Sequence, residues 1–319
     1  MRIAVVANRA SGPGALAAAQ ERVAQIESAF AGIPAELDVR CVDGRDLAAR
    51  AREALRDGAD VVAAAGGDGT VNQVAGVLAG SQTPLAVLPL GTLNHFARDL
   101  GLPADLGKAA AIAAGGVPTQ VDAAEVNGHL FVNNSSIGVY PRAVRERERR
   151  RKPGGSKELS MLGAAWTVLR RLPSHHVVLS VDGQPVRRTT PFVFVGNNVY
   201  ETRLARLGTR ASLTQGRLCV YHARHASRTS MLALAARTLV DRLDSARDLE
   251  MHEALRLTIH SPRTSMRVAL DGEVLSLETP LEYRIRPRHL RVMAPRPTGS
   301  PAAPASASAA RPEPRGGAA

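Results

Sequence analysis

Residues 59–78 read ADVVAAAGGDGTVNQVAGVL, and this stretch decides the fold. Ala59–Ala65 is a short apolar run, the pattern of a strand buried on both faces. Gly66-Gly67-Asp68-Gly69-Thr70 follows, and its three glycines in four positions let the backbone turn off the strand and approach a ligand closely. Val71–Ala79 then has helical composition, and Thr70 with Gln73 three residues later is a capping-box pattern that predicts a helix start at Thr70. The free N–H groups and positive dipole end at such a start suit a phosphate. The loop lies at the carboxyl end of a strand, where open α/β sheets bind ligands.

Outward from this centre, Ile3–Ala7, Leu37–Val42 and Leu85–Leu88 are further short apolar runs, with helical stretches at 14–30 and 46–57 between them. Strand and helix in alternation predict right-handed βαβ crossovers and an α/β N-terminal domain built on a parallel sheet. A second loop repeats the first: Leu85–Leu88 is followed by the turn Pro89-Leu90-Gly91-Thr92 and a short helix from Asn94 to Arg98. A tight turn is the plain alternative for either loop, but two phosphate-capable loops at neighbouring strand ends point to a polyphosphate nucleotide. Neither loop is a P-loop, since no Lys stands near them, and Gly12-Pro13-Gly14 misses the dinucleotide fingerprint.

After Val121 the texture changes to short strand-like runs at 129–134, 177–182, 191–196, 217–222, 255–260, 265–270 and 281–286, with turns such as Asp182-Gly183 and Asp271-Gly272. Helical patches at 158–172 and 229–243 interrupt a mostly antiparallel β region. The expected organisation is a nucleotide-binding domain over residues 1–121 and a β-rich domain over 122–294, whose last strand can rejoin the first domain. Residues 295–319 form a Pro/Ala/Ser tail expected to be disordered.

The 319 residues are 45% hydrophobic, which supports a folded body, and carry 41 Lys+Arg against 29 Asp+Glu, a net charge of +12. That excess predicts attraction to something anionic. Aromatics at 3% argue against a stacking platform for single-stranded nucleic acid, and no helix-turn-helix, zinc or RNA-binding pattern is present, so no nucleic-acid partner is expected. Two cysteines exclude a disulfide framework and fit a reducing compartment. No targeting segment and no apolar run of about 18 residues is visible, so a cytoplasmic protein, at most attached to a membrane surface, is expected.

The charge is local. Arg142–Lys152 holds a net +5, with Arg145, Arg147, Arg149, Arg150, Arg151 and Lys152 as candidate contacts to an anionic surface. Leu159, Leu162, Trp166 and Leu169 then share one helical face. Docking on lipid and covering the β core are both open readings of that face.

The residues resemble a family. Asn8-Arg9-Ala10-Ser11-Gly12, Gly66–Thr70, the segment PLGTLNHFAR at 89–98 and Asp271-Gly272-Glu273 together resemble the diacylglycerol kinase and sphingosine kinase-like lipid kinases in their compact bacterial form. The resemblance covers residues 1–294 and implies an α/β domain of the NAD kinase and diacylglycerol kinase type, followed by a β-sandwich, with the active site between them. It implies transfer of the γ-phosphoryl group of ATP, with Mg²⁺, to a diacylglycerol-like or sphingoid-like lipid hydroxyl. Carried over, Asn8, Gly66, Gly67, Asp68, Gly69, Thr70, Asn72, Gly91, Thr92 and Asn94 hold the nucleotide, and Asp68 meets a metal at the phosphates. Glu273 is the general base, with an exposed strand residue beside a hairpin turn as the alternative. Two departures remove carboxylates: His95 replaces the family's usual Asp, and Gln215 stands where many members carry an acid tied to an accessory Mg²⁺. An NAD kinase-like enzyme, sharing the Gly-Gly-Asp-Gly loop, and a catalytically weak nucleotide-binding or membrane-surface regulator are the rival functions.

Overall fold

The computed structural model describes residues 1–9, 15–138, 175–200, 209–223 and 249–296. The expected basic run at Arg142–Lys152, the helical patches at 158–172 and 229–243 and most of the tail therefore lie outside the described residues.

The N-terminal part alternates β1 (Arg2–Asn8), α1 (Ala15–Ala29), β2 (Glu36–Val42), α2 (Leu47–Arg56), β3 (Val61–Gly66), α3 (Asp68–Leu78) and β4 (Leu85–Pro89), followed by α4 (His95–Asp99) and α5 (Leu106–Gly115). The first four strands pair in parallel in the order β2-β1-β3-β4, with Ile3 beside Val61 and Val62 beside Leu85. Every residue of β3 is buried, because alternate side chains serve two cores. Val62 and Ala64 pack with Leu47 and Ala51 of α2 and Val74 and Leu78 of α3. Ala63 and Ala65 face the other way, toward Ile26 of α1 and Ala109, Ala110 and Ala113 of α5. Alanines on the strand and on α5 let these layers approach closely.

The second part contains β5 (Val117–Val126), β6 (His129–Phe131), β7 (Asn134–Gly138), β8 (His175–Val181), β9 (Gln184–Thr190), β10 (Phe192–Asn197), β11 (Leu218–Ala223), β12 (Leu249–Ala254), β13 (Arg256–His260), β14 (Ser265–Leu270), β15 (Glu273–Glu278) and β16 (Leu281–Ala294). A six-stranded sheet in the order β12-β11-β10-β7-β14-β15 faces β5, β13, β8 and the start of β16 across a shared core. Its described pairings are all antiparallel, so the α/β-plus-β-sandwich architecture expected from the sequence is the observed one. Leu218, Val220, Val193 and Val195 from one sheet meet Leu179, Leu257, Ile259 and Tyr283 from the other.

One strand crosses between the parts. β16 pairs with β13 near its start and lies parallel to β4 at Val292 and Leu85, so a single ten-stranded sheet runs through the molecule. Its register against β5 shifts between Arg286 and Leu290, where Pro287 and the positive φ of Arg288 bend the strand. Asp122 secures the bend by accepting from Arg288 N at 2.8 Å. Residue 121, the expected end of the first domain, falls inside β5.

A buried cation joins the two parts. The Arg210 and Asp99 side chains are 0% and 1% exposed and pair at 2.7 Å. Arg210 also donates to the Val132 and Asn197 carbonyls at 2.6 and 3.0 Å and to Asn133 Oδ1 at 2.9 Å. Arg210→Met would strip these acceptors of their donor and leave Asp99 buried without a counter-ion. The expected loss is about 3–5 kcal/mol of unfolding free energy in urea titration; a loss below about 1 kcal/mol would show that the pair does not hold the parts together.

Candidate active site between the glycine loops and the Asp-Gly hairpin

β1, β3 and β4 end on the same edge of the parallel sheet, and their carboxyl ends carry Asn8, Gly66 and Pro89. The two glycine loops are packed against each other there. Leu90 N donates to Gly66 O at 3.1 Å, and a Cβ on Gly91 would lie 2.4 Å from Gly67 Cα. A Cβ on Gly66 would lie 2.4 Å from Thr70 Oγ1. A larger residue at 91 would therefore force the loops apart, and one at 66 would displace Thr70 in the first turn of α3.

Helix α3 does not start where the capping box predicts. Its N-cap is Gly67 in extended conformation, no side chain caps it, and Thr70 is buried in the first turn beneath Gly66. The first N–H groups of α3 have no intrahelical acceptor by helix geometry, so its positive end is open to an anion.

The second loop differs. Asp68 turns away from its own helix: Oδ2 accepts from His95 N and Oδ1 from Phe96 N, both at 3.2 Å. The start of α4 is thus already met by a carboxylate. Asn94, with φ of 48°, closes this loop through its own side chain, accepting from Gly91 N at 3.0 Å and donating to Gly91 O at 2.8 Å. Thr92 is exposed on its tip, and His95 lies near Arg98, with Arg98 Nη2 3.5 Å from His95 Nδ1.

Asp271-Gly272 forms the two-residue turn between β14 and β15, with positive φ at both residues and Leu270 opposite Glu273. The hairpin reading of Asp-Gly is thus correct, and Glu273 is exposed. Yet Glu273 also faces the first glycine loop: Gln73 Nε2 donates to Glu273 Oε1 at 3.2 Å, and a Cβ on Gly69 would meet the same oxygen at 3.2 Å. The hairpin is held by Asp271, whose carboxylate accepts from Val132, Asn133 and Asn134 N–H groups at 2.8, 2.9 and 2.8 Å. Asn133 Nδ2 in turn reaches Asp68 Oδ1 at 3.4 Å.

Gln73, Asn133, Arg210 and Asp99 were not anticipated as parts of this site. The paired asparagines at 133–134 and 197–198, which interrupt apolar strands, are the only sequence signal for them. Of the anticipated residues, Asn8 ends β1, where Arg22 bonds its carbonyl and Arg9 beside it pairs with Asp43. Asn72 Oδ1 is buried without a hydrogen-bond partner in the described residues, an acceptor left over in α3. Gln215 spends its side-chain carbonyl on Val199 N at 2.9 Å.

The donors around Asp68 form no closed metal cage: the only group of three His, Cys, Asp or Glu donors among the described residues lies elsewhere, at His222, Glu250 and His252. One carboxylate with an open side fits Mg²⁺, which keeps waters and is held by one or two carboxylates plus substrate phosphates.

Burial raises the Asp271 carboxyl to about 6, against the opposing pull of its three backbone donors and Arg210. The folded protein therefore keeps a proton that the unfolded chain releases near 3.8, and stability from this group is lost as pH rises through that window. Relative to Asp271→Asn, the wild-type protein is expected to lose about 2 kcal/mol of stability between pH 4 and pH 6 in urea titration. A parallel course of the two proteins would contradict this.

The model for the diacylglycerol kinase catalytic domain matches residues 2–126, and the model for the YegS C-terminal NAD kinase beta sandwich-like domain matches residues 135–294. A protein of Pectobacterium atrosepticum named "Probable lipid kinase YegS-like" is 39% identical over 125 residues, 38% of this chain and 40% of that protein. A diacylglycerol kinase of Bacillus subtilis is 43% identical over 96 residues, 29% of this chain and 32% of that protein. The chain thus aligns with well under half the length of these curated relatives. A crystal structure of a diacylglycerol kinase from Bacillus anthracis str. Sterne superposes with a TM-score of 0.64 at 21% identity, covering 92% of this chain and 96% of that one, which establishes the shared fold. With both of its parts matched in order, the chain belongs to the family of diacylglycerol kinase-like and YegS-like lipid kinases.

Proposed function

We propose that the protein transfers the γ-phosphoryl group of ATP to the hydroxyl of a diacylglycerol-like or sphingoid-like lipid. The observation that carries this reading is the approach of Glu273, from the β14–β15 hairpin, to Gly69 of the loop that opens α3. A phosphate site and a carboxylate base then come from different parts of the chain and face the same space.

In this reading the N–H groups at the start of α3 take the phosphates, with Gly66–Thr70 supplying close approach and Asn72 Oδ1 an unused acceptor. Asn8, Gly91, Thr92 and Asn94 shape the rest of the nucleotide site, Asn94 by holding its loop closed. Asp68 offers its remaining Oδ2 lone pair to Mg²⁺, which when bound would neutralise charge developing on the phosphates. The lipid oxygen bonds to the γ-phosphorus as the bond from that phosphorus to the leaving ADP oxygen breaks, and the hydroxyl proton passes to the Glu273 carboxylate. Gln73 orients that carboxylate.

The membrane side of the proposal rests on the basic segment Arg142–Lys152, outside the described residues, and on attraction of anionic lipid to cations. Among the described residues no helix is long and apolar enough to cross a membrane, consistent with a lipid kinase that works from the surface.

The test is incubation of purified protein with γ-labelled ATP, Mg²⁺ and a lipid panel including diacylglycerol and sphingoid bases, with NAD as a further acceptor. Labelled lipid is expected, and Glu273→Gln should lower kcat by about 10²–10⁴ with little change in ATP binding. Label in NADP alone, or a Glu273→Gln protein with full lipid kinase activity, would refute the acceptor or the base respectively.

A further inference from the structure

Far from the glycine loops, the sandwich closes at an edge where β9 and β12, the terminal strands of the two sheets, meet. Arg188 of β9 donates to Glu250 Oε1 of β12 at 2.6 Å, joining the sheets there. Behind this pair stand two histidines on adjacent strands. His222 of β11 lies directly opposite Glu250, and His252 is two residues further along β12 on the same face. Their rings stack at 5.5 Å between centroids with 22° between planes. The His222 side chain is fully buried, and those of Glu250 and His252 are 22% and 25% exposed.

This arrangement leaves unusual chemistry unused. Both Nε2 atoms are buried and neither has a hydrogen-bond partner among the described residues, although His252 Nε2 lies 3.2 Å from Glu250 Oε1, an ion pair if the ring is protonated. A buried polar nitrogen without a partner costs free energy, and two side by side beside a carboxylate require an explanation. The His222 Nδ1 atom lies 3.3 Å from the Ala223 carbonyl. That carbonyl can only accept, so it assigns the proton to Nδ1 and leaves Nε2 with a free lone pair, the tautomer used by metal-bound histidine. One donor atom from each of His222, Glu250 and His252 falls within 4.8 Å of the others.

We infer that His222, Glu250 and His252 form a divalent transition-metal site, best suited to Zn²⁺, which clips edge strand β12 to β11. Two imidazoles and a carboxylate are a Zn²⁺ donor set, with a fourth position left for water. Donors in a tetrahedral Zn²⁺ site with bonds of ~2.0–2.2 Å stand about 3.3 Å apart, so the cluster must contract by roughly an ångström. His252 and Glu250, the partly exposed members, can supply that by side-chain rotation while His222 stays fixed. Arg188 pins the carboxylate by Oε1, the oxygen that also lies nearest both histidines, which leaves Oε2 to turn toward the ion. Mg²⁺ and Ca²⁺, which prefer all-oxygen sites, are the wrong ions for this set.

The test uses full-length, tag-free protein stripped with chelator and titrated with Zn²⁺ by calorimetry, in parallel with Co²⁺ by visible absorption. One equivalent of Zn²⁺ is expected to bind with a Kd of about 1 μM or lower, with the intense Co²⁺ bands of a tetrahedral site. A hundredfold excess over Kd should raise Tm by about 5 °C. His252→Ala should weaken binding on the order of a hundredfold or more and abolish the Tm response. Glu250→Gln provides a second variant should that one misfold, with the circular dichroism spectrum as the check. Absence of wild-type binding, or unchanged binding and Co²⁺ bands in a folded variant, would overturn the assignment and leave the cluster as an ion pair with Arg188.

Discussion

A guanidinium with no exposure to water must have every donor met, and at Arg210 the acceptors come from both halves of the molecule. Asp99 ends α4, the helix after the second glycine loop; Val132 and Asn133 sit in the turn before β7; Asn197 ends β10. Removing any of these would strand a charge in a medium where charges are costly, so the three segments are held in one arrangement. The ring of Tyr200 beneath the guanidinium, 5.3 Å from it, adds a cation–π contact. This fastening adds to the single β16–β4 register pair, Val292 with Leu85, and to Val132, Leu213 and Leu290 in the core of the first part.

From Arg210 the order spreads through Asn133. Its side-chain oxygen takes Arg210, its amide reaches Asp68, and its backbone N–H goes to Asp271. The loop that opens α3 and the hairpin that carries Glu273 are therefore positioned by the same residue. Asp68 holds the start of α4 with its carboxylate and meets Asn133, three donors that leave one lone pair on Oδ2. This also explains how two glycine loops that look alike in sequence become unlike in space. The first leaves its helix start open; the second has its helix start filled by a side chain of the first.

Much of this was legible beforehand, for reasons of periodicity. Fully buried strands such as Val61–Gly66 and Leu85–Pro89 show as apolar runs, and Asp271-Gly272 shows as a hairpin because only a few residues tolerate positive φ. The helix start was misread because Thr70 and Gln73 match a capping box by spacing, whereas the extended Gly67 begins the helix a turn earlier and buries Thr70. Strands β5, β9, β12 and β15 are not among the runs read as strands; β9 is mostly polar and β12 half polar in sequence, so no apolar run marks them. The Asp99–Arg210 pair spans 111 positions, and no local pattern announces which of many arginines is the buried one. Pairings at that distance are set by the packed fold, and the sequence marks them only through asparagines placed where apolar residues are expected.

Under the proposed function, the start of α3 and Glu273 face a shared substrate position. The most direct measurement is a crystal structure with Mg²⁺ and a non-hydrolysable ATP analogue. The terminal phosphate is expected at the Gly67–Thr70 backbone, with the Glu273 carboxylate on its acceptor side and open to an incoming hydroxyl. A nucleotide seated away from this loop, or a Glu273 directed away from the terminal phosphate, would contradict it.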